Sequence, residues 1–280
     1  MSDDARRPDG IFDAPAAGYD RLIGRYLPTL APALADNAAV GPGMRVLDVG
    51  CGPGGLTQEL VSRVGAASVA AIDPSPPFVQ ACRLRNPGAD VREGFAESLP
   101  FDDGSFDAAL SSLVVGFMTD PVAGIREMAR VTKPGGLVVA CVWDRQGMTA
   151  LRIFGQTMVR LDPALSGDIK LTGDAEGELA RVFTAAGLAH IDEGVLLANG
   201  HYADFDDWWE PFTLGIGPHG AYYQTLDDER RETLRLACRE QFKTPDQPFT
   251  LEARARCARG SVGMPGNDAG RTGHGDDLLA

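Results

Sequence analysis

Short apolar segments alternate with amphipathic segments along the first half of the chain, and turn residues separate them. The apolar segments predict strands at 44–50, 68–73, 89–94, 106–115 and 137–143. The amphipathic segments predict helices at 16–30, 56–64, 78–86 and 121–132. Strands that alternate with helices across short turns form mostly parallel sheets that helices cover.

The second half has a less regular pattern. Apolar spacing predicts helices at 149–161 and 177–187 and a strand region at 187–199, and residues 249–258 alternate as a further strand does. Between these strands, residues 203–240 combine an aromatic block with a charged helix. We expect this segment to form a lid inserted into the domain.

The two ends of the chain lack any periodic pattern. We expect a flexible arm over residues 1–14, a single domain over 15–258 and a disordered tail over 259–280, because neither end has enough apolar residues to form a core. Arginines at 254, 256 and 259 crowd the end of the last predicted strand. This crowding favours a reading-frame change over a natural tail.

Charge and cysteine content restrict the classes of partner and compartment. The chain has 280 residues and a formal net charge of −13, which repels nucleic acids and other polyanions. Its five cysteines include no C-x-x-C pair, which predicts reduced thiols in the cytoplasm and no thiolate metal site. We see no signal peptide, no apolar run long enough for a membrane span and no metal-ligand cluster.

A glycine-rich turn between the first strand and the following helix carries the clearest chemical signal. It reads Asp48-Val49-Gly50-Cys51-Gly52-Pro53-Gly54-Gly55. Glycines there let the backbone approach a ligand, and the next helix offers unpaired N–H groups. The spacing also satisfies the dinucleotide fingerprint G-x-G-x-x-G, so the turn alone does not choose the ligand.

Two carboxylates near this turn bear on the choice of ligand. Asp48 precedes the first glycine and would repel a pyrophosphate, but it suits the ammonium group of a methionine moiety. Asp73 ends the second strand, where a carboxylate can accept hydrogen bonds from ribose hydroxyls. Both nucleotide and methionine-derived cofactors contain a ribose, so Asp73 does not distinguish them.

Five segments in order, VLDVGCGPGGLTQEL, AIDPS, FAESLPF, FDAAL and EMARVTKPGGLVV, resemble the class I S-adenosylmethionine-dependent methyltransferases. The resemblance is to the small-molecule branch that includes ubiquinone and menaquinone biosynthesis. It covers residues 16–145 well and 146–258 more loosely. It implies an α/β fold with a Rossmann-like, seven-stranded, mostly parallel sheet, flanking helices, an antiparallel last strand and a lid insertion.

The resemblance also implies cofactor-binding roles for a set of residues. They are Asp48, Gly50, Cys51, Gly52, Gly54, Asp73, Pro74, Phe95, Ala96, Glu97, Ser111, Ser112 and Arg25. Phe95 departs from the family pattern, in which an aspartate often binds the adenine amino group, so it either stacks on the ring or is ordinary core. Arg25 either pairs with the cofactor carboxylate or is a solvated helix arginine.

The aromatic block of the lid is the predicted acceptor side. We expect Trp208, Trp209, Phe212, Tyr222 and Tyr223 to roof the acceptor pocket, although these rings can equally form the core of the lid itself. No catalytic residue is assigned, and His219 and Tyr222 are weak candidates for moving a proton. Strand four continues as Ser111-Ser112-Leu113-Val114 and lacks the Asn/Asp-Pro-Pro-Tyr pattern of base methylation.

The leading interpretation is a methyltransferase that uses S-adenosyl-L-methionine to modify O or C, and less readily N, of a small and partly apolar molecule. We expect a monomer or homodimer. A nicotinamide-dependent oxidoreductase is one alternative, although no Tyr-x-x-x-Lys or His–Asp pair is evident. A cofactor-binding protein without transferase activity is the other.

Overall fold

A computed structural model of the chain describes residues 16–165, 171–215 and 217–264. The predicted arm at 1–14 and most of the predicted tail lie outside these ranges. Within the described residues, no helix is both long and apolar enough to cross a membrane.

Seven strands form one sheet, as the resemblance implied. They are β1 (Val46–Val49), β2 (Val69–Asp73), β3 (Asp90–Glu93), β4 (Phe106–Ser112), β5 (Thr132–Trp143), β6 (Ala189–Tyr202) and β7 (Phe249–Ser261). The strand order is β3-β2-β1-β4-β5-β7-β6. The last strand, β7, lies between β5 and β6 and runs antiparallel to both, while the pairs from β3 to β5 are parallel.

Ten helices of the described residues cover the sheet and its carboxyl edge. They are α1 (Ala16–Leu22), α2 (Leu27–Asn37), α3 (Gly55–Val64), α4 (Pro76–Arg85), α5 (Pro121–Val131), α6 (Thr149–Leu161), α7 (Glu178–Ala185), α8 (Phe205–Thr213), α9 (Gly217–Gln224) and α10 (Asp228–Arg239). The single helix predicted at 16–30 is divided into α1 and α2 by a short 3-10 turn. A proline in the first turn of α2 favours a helix start there.

The end of β4 differs from the prediction at 106–115. The strand stops at Ser112 because Leu113 has φ of 66°, a left-handed conformation that leaves the extended path. A 3-10 turn at Val115–Phe117 follows. After this break, the chain following β4 crosses the carboxyl edge of the sheet.

The last strand continues beyond its predicted end at 258. Arg259 and Ser261 pair with β5 and β6, so the predicted tail begins at least three residues too early. Arg256 forms an ion pair with Asp144 at 2.6 Å, and Arg259 forms one with Asp192 at 3.2 Å. These partners account for Arg256 and Arg259, and the regular pairing of β7 as far as Ser261 gives no support to a frame change before residue 262.

One hydrophobic cluster joins the lid to the sheet. It runs from Leu30 on α2 and Val139 on β5 to Phe154 on α6 and the tryptophans of α8. The insertion between β6 and β7, which forms α8, α9 and α10, is therefore packed into the same core as the sheet.

Candidate active site

The glycine-rich turn joins β1 to α3, and its glycines have two different tasks. Gly50 has φ of 76°, and a Cβ there would lie 2.3 Å from Val114 Cγ2, so the turn packs tightly against the chain after β4. Gly52 has φ of 53° and faces open space, with no atom within 4 Å of the Cβ position. Gly52 is thus where a ligand can approach the backbone closely.

Asp48 is a fully buried carboxyl group with one unpartnered oxygen. Its Oδ2 accepts a hydrogen bond from Thr57 Oγ1 at 2.6 Å, while Oδ1 has no partner among the described residues. Burial raises the pKa of Asp48 to about 8, against the opposing hydrogen bond from Thr57. A nearby cation that bonded to Oδ1 would satisfy the oxygen and lower the pKa.

Asp73 ties the end of β2 to the glycine-rich turn. Its Oδ2 accepts the Gly52 N–H at 2.8 Å and its Oδ1 accepts the Ser75 N–H at 2.9 Å. Burial raises the pKa of this carboxyl group, and the two backbone hydrogen bonds oppose that shift. Each oxygen keeps a second lone pair for a further donor.

Four polar side chains share one face of the sheet at its carboxyl edge. Because Asp48 pairs with Ala71 and Leu110 in parallel register, Asp48, Asp73 and Ser112 point to the same side. Cys141 follows on β5, where it pairs with Ser112. Ser111 points to the opposite face, where its hydroxyl is fully buried and unpartnered among the described residues.

Tyr19 on α1 connects this polar group to a cavity. Burial, followed by the negative charge of Asp73, raises the pKa of the Tyr19 hydroxyl, and Asp48 and Cys141 add to the shift. The Tyr19 ring packs on Phe78 with ring centroids 5.5 Å apart, which ties α1 to α4. The same side chain lines the cavity next to β4 and β5.

The cavity has a volume of about 230 Å³ and lies among α1, α6, α9 and the ends of β4 and β5. Its apolar lining includes Leu22, Ile23, Leu113, Phe117, Met148 and Leu151. Two ion pairs stand in its wall: Arg145 with Asp174 at 2.5 Å, and Arg256 with Asp144 at 2.6 Å. The cavity can therefore hold a molecule with an apolar body beside a small number of polar groups.

His219 is the lid residue with a titratable group in this cavity. Its ring packs edge-on against Phe154, with centroids 5.6 Å apart. Burial lowers the pKa of His219 to about 4, so the ring is neutral near pH 7. Such a ring can hydrogen-bond an acceptor molecule, but it is a weak proton acceptor.

The other lid residues lie elsewhere than predicted. Trp208, Trp209 and Phe212 are at most 5 % exposed and belong to the core, so they do not roof the cavity. Tyr222 lines a separate surface pocket between α6 and α10, and Tyr223 packs against Trp209 with ring centroids 5.7 Å apart. These five rings are thus not part of the cavity lining, and the alternative that the rings form the core of the lid holds for Trp208, Trp209 and Phe212, because the apolar face of α8 packs on α6 and on the sheet.

Arg25 is committed to partners within the chain. Its guanidinium donates to both carboxylate oxygens of Asp207 at 3.1 Å and to the His201 carbonyl oxygen at 2.8 Å. It also lies 4.1 Å from the centre of the Tyr202 ring. The expected pairing with a cofactor carboxylate is therefore corrected: Arg25 holds the chain before α2 against β6 and α8.

The segment after β3 is spread around the edge of the site. Phe95 is 54 % exposed, which excludes the interpretation that it is core, whereas Ala96 is buried. Glu97 accepts backbone N–H groups of Thr119 and Asp120, so it orders the turn before α5. Pro74 is exposed beside the turn, and Cys51 is buried within it.

Sequence reasoning missed the residues that form the cavity. Tyr19 lies in the helix predicted at 16–30 without a role of its own in that prediction, and Arg145, Arg152 and Asp174 belong to no motif. Their common signal is position after a strand or at a helix start, which is too general to select them from the sequence.

The strand order, the glycine-rich turn after β1 and the carboxylate ending β2 define a class I Rossmann-like methyltransferase fold. Residues 47–140 match a family model described as "Methyltransferase domain". The match covers about a third of the chain, including the glycine-rich turn and strands β1 to β4.

Curated relatives match about half of the chain. A demethylmenaquinone methyltransferase of Beutenbergia cavernae is 40 % identical over 142 residues, which cover 50 % of this chain and 55 % of the relative. A malonyl-[acyl-carrier protein] O-methyltransferase of Erwinia pyrifoliae is 42 % identical over 129 residues, covering 42 % and 48 %. An uncharacterised protein of Mycobacterium tuberculosis is 31 % identical over 149 residues, covering 52 % of each. The chain thus spans about half the length of the curated relatives it matches.

Solved structures share the whole fold at low sequence identity. The YcgJ protein from Bacillus subtilis has a TM-score of 0.54 at 20 % identity, covering 84 % of this chain and 98 % of that one. The [4+2]-cyclase SpnF has a TM-score of 0.53 at 19 % identity, covering 84 % and 81 %. A protein called a cyclase thus shares this architecture, so the fold by itself does not decide the reaction.

Proposed function

We propose that this protein is an S-adenosylmethionine-dependent methyltransferase that modifies an oxygen or carbon atom of a small, partly apolar molecule. The unpaired oxygen of buried Asp48, beside a glycine-rich turn, carries the proposal. The matching family model spans residues 47–140, which include this turn, and two curated relatives are named as methyltransferases. A cavity with a mostly apolar lining adjoins it through Tyr19.

The residues present fit this cofactor. Asp48 Oδ1 suits an ammonium group, and such a charged donor would offset the cost of leaving a carboxyl oxygen unpaired. Asp73 has lone pairs available for ribose hydroxyls, and Gly52 leaves room for the ligand between them. A pyrophosphate would instead face both carboxyl groups, which disfavours a nicotinamide cofactor.

When bound, S-adenosylmethionine supplies a methyl group that an electron pair of the acceptor displaces from sulfur in line. The chain's own contribution is alignment and exclusion of water. The apolar wall excludes water around the acceptor. Tyr19 lines the cavity and lies near enough to Asp73 and Asp48 for their negative charges to raise its pKa. Neutral His219 can orient a polar atom of the acceptor but is too weak a base to deprotonate an alcohol.

The acceptor we propose is small because a cavity of about 230 Å³ admits a small molecule. The net charge of −13 further disfavours a nucleic acid. All five cysteines are buried and free, which supports a reducing cytoplasm as the place of action. Monomer or homodimer remains a prediction.

Calorimetry with S-adenosylhomocysteine, S-adenosylmethionine and NAD separates the leading function from the oxidoreductase alternative. We expect the first two to bind and NAD not to bind. Asp73→Ala should weaken binding at least about tenfold, because charge-assisted hydrogen bonds contribute roughly 1.5–3 kcal/mol. Asp102→Ala, which removes an exposed carboxylate, is the matched control and should leave binding unchanged.

Preferential binding of NAD, or equal S-adenosylhomocysteine affinity for Asp73→Ala and the unaltered protein, would overturn the assignment. Release of S-adenosylhomocysteine during incubation with a panel of acceptors distinguishes an enzyme from a protein that only binds the cofactor. Absence of release with every acceptor, despite tight cofactor binding, would favour the binding protein.

A further inference from the structure

We propose that the acceptor ends in a carboxylate and that Arg152 binds this group at the solvent side of the cavity. The inference rests on the proposed function, since it concerns the molecule that receives the methyl group. Among the charged residues described in the cavity wall, one has no counter-charge.

Each carboxylate of the wall has an arginine of its own. Asp174 is paired with Arg145, which donates through two nitrogens at 2.5 and 3.2 Å. Asp144 is paired with Arg256 at 2.6 Å. Both carboxylates are less than a tenth exposed, so these pairs are fixed parts of the wall. Among the lining residues that the structure describes, the guanidinium of Arg152 is left as a positive charge without a counter-charge.

Arg152 has no structural task that would explain it. Within the described ranges, its guanidinium forms no hydrogen bond, ion pair or ring contact. Arg152 also lies in the first turn of α6, where a cation is unfavourable because the helix dipole is positive at that end. A cation in the first turn of a helix that also lines a cavity is well placed to bind an anionic ligand.

The same face of α6 presents further hydrogen-bond donors. Gln156 lies four residues after Arg152 and therefore on the same side of the helix, and it also lines the cavity. Gly155 lies between them, and the absence of a side chain lets His219 Nε2 come close to α6, 3.1 Å from where a Cβ would lie. Guanidinium, amide and neutral imidazole together suit the two oxygens of a carboxylate.

The balance of charge favours a carboxylate over a phosphate. One unmatched cation neutralises one negative charge, whereas a phosphate monoester carries about 1.5 to 2 negative charges near pH 7. The negative charge of a phosphate that Arg152 does not neutralise would be repelled by a protein with a net charge of −13. The rest of the lining is mostly apolar, so the remainder of the acceptor should be apolar too.

Calorimetry in the presence of saturating S-adenosylhomocysteine tests this inference with matched probes. The probes are 2-naphthoate and decanoate, their amides, and 2-naphthyl phosphate. We expect at least one carboxylate to bind about tenfold more tightly than its amide. Arg152→Gln should reduce this preference to about twofold or less, and Arg152→Lys should keep part of it. Arg160→Gln, on the same helix but outside the cavity lining, is the control and should retain the full preference.

Equal binding of carboxylates and amides, no binding of either carboxylate, or a preference that survives Arg152→Gln would overturn the inference. Tighter binding of 2-naphthyl phosphate than of 2-naphthoate would overturn the carboxylate assignment. The affinity for S-adenosylhomocysteine, measured first, separates failure of the proposed function from failure of this inference. If the unaltered protein does not bind it, the proposed function fails; if it binds and carboxylates are not preferred, only this inference fails.

Discussion

At the scale of single residues, the site depends on polar groups that are buried before any ligand arrives. Asp48 is fully buried, and burial raises its pKa to about 8, far above the ordinary value of 3.8. Between about pH 4 and pH 8, the folded protein therefore keeps a proton on Asp48 that the unfolded chain has already lost. Stability that depends on this proton falls as the pH rises through that interval.

We expect Asp48→Asn to be more stabilising at pH 8 than at pH 5, because the amide has no proton to lose. The free energy of unfolding of the variant minus that of the unaltered protein should increase by up to about 1.4 kcal/mol per pH unit. Urea unfolding at both pH values measures this difference. Asp102→Asn, at an exposed position, is the control and should show no such trend. A pH-independent difference for Asp48→Asn would show that Asp48 is ionised in the folded protein.

At the scale of elements, α6 and α9 form one wall of the cavity through a close contact. Gly155 of α6 faces His219 of α9, and an added Cβ would lie 3.1 Å from Nε2, closer than ordinary van der Waals contact. The ring also packs on Phe154, the neighbour of that glycine, so its position is fixed from two sides. Gly155 thus lowers the helix stability of α6, but its missing side chain leaves room for the His219 ring.

Gly155→Ala should have opposing effects, which a double-mutant cycle separates. Replacing a glycine inside a helix with alanine gains up to about 1 kcal/mol, but here the new methyl group crowds His219. We expect the stabilisation by Gly155→Ala to be larger in the His219→Ala background than in the unaltered protein. Thermal unfolding of the four proteins measures this coupling. Additive effects would mean that α6 and α9 do not touch at this point.

At the scale of the whole molecule, the lid and the sheet share one core. The fully buried side chain of Trp208 lies in the same cluster as Leu30 of α2 and Val139 of β5. The lid is also tied to the N-terminal segment by the ion pair of Arg21 with Glu210 and by that of Arg25 with Asp207. We therefore expect lid and sheet to unfold together.

Trp208→Ala should destabilise the entire domain by about 3–5 kcal/mol, because it leaves a cavity in this shared core. The transitions followed by far-UV and near-UV circular dichroism should coincide and shift together. Leu236→Ala, at a half-exposed position of the same lid, should change stability by no more than about 0.5 kcal/mol. A separate early transition in Trp208→Ala would show that the lid is an independent unit.

Features that depend on local pattern were predictable from the amino-acid sequence. Alternating apolar and amphipathic segments predicted the strands and helices of the sheet, and Thr149–Leu161 coincides with its prediction. The glycine-rich turn was recognisable because a turn between a buried strand and a helix has few sequence solutions. The antiparallel last strand followed from the family resemblance, since strand direction leaves no local signal.

Only the tertiary structure decided which side chains meet. Arg25 is bound to Asp207, which is far away in the sequence. The tryptophans of α8 point into the core, but an aromatic stripe has the same sequence pattern whether it faces a core or a cavity. Tyr19 and Arg152 reach the cavity because α1 and α6 pack over the carboxyl edge of the sheet. Helical periodicity predicts which side of a helix is buried. Which element packs against that side depends on contacts between elements that are distant in the chain.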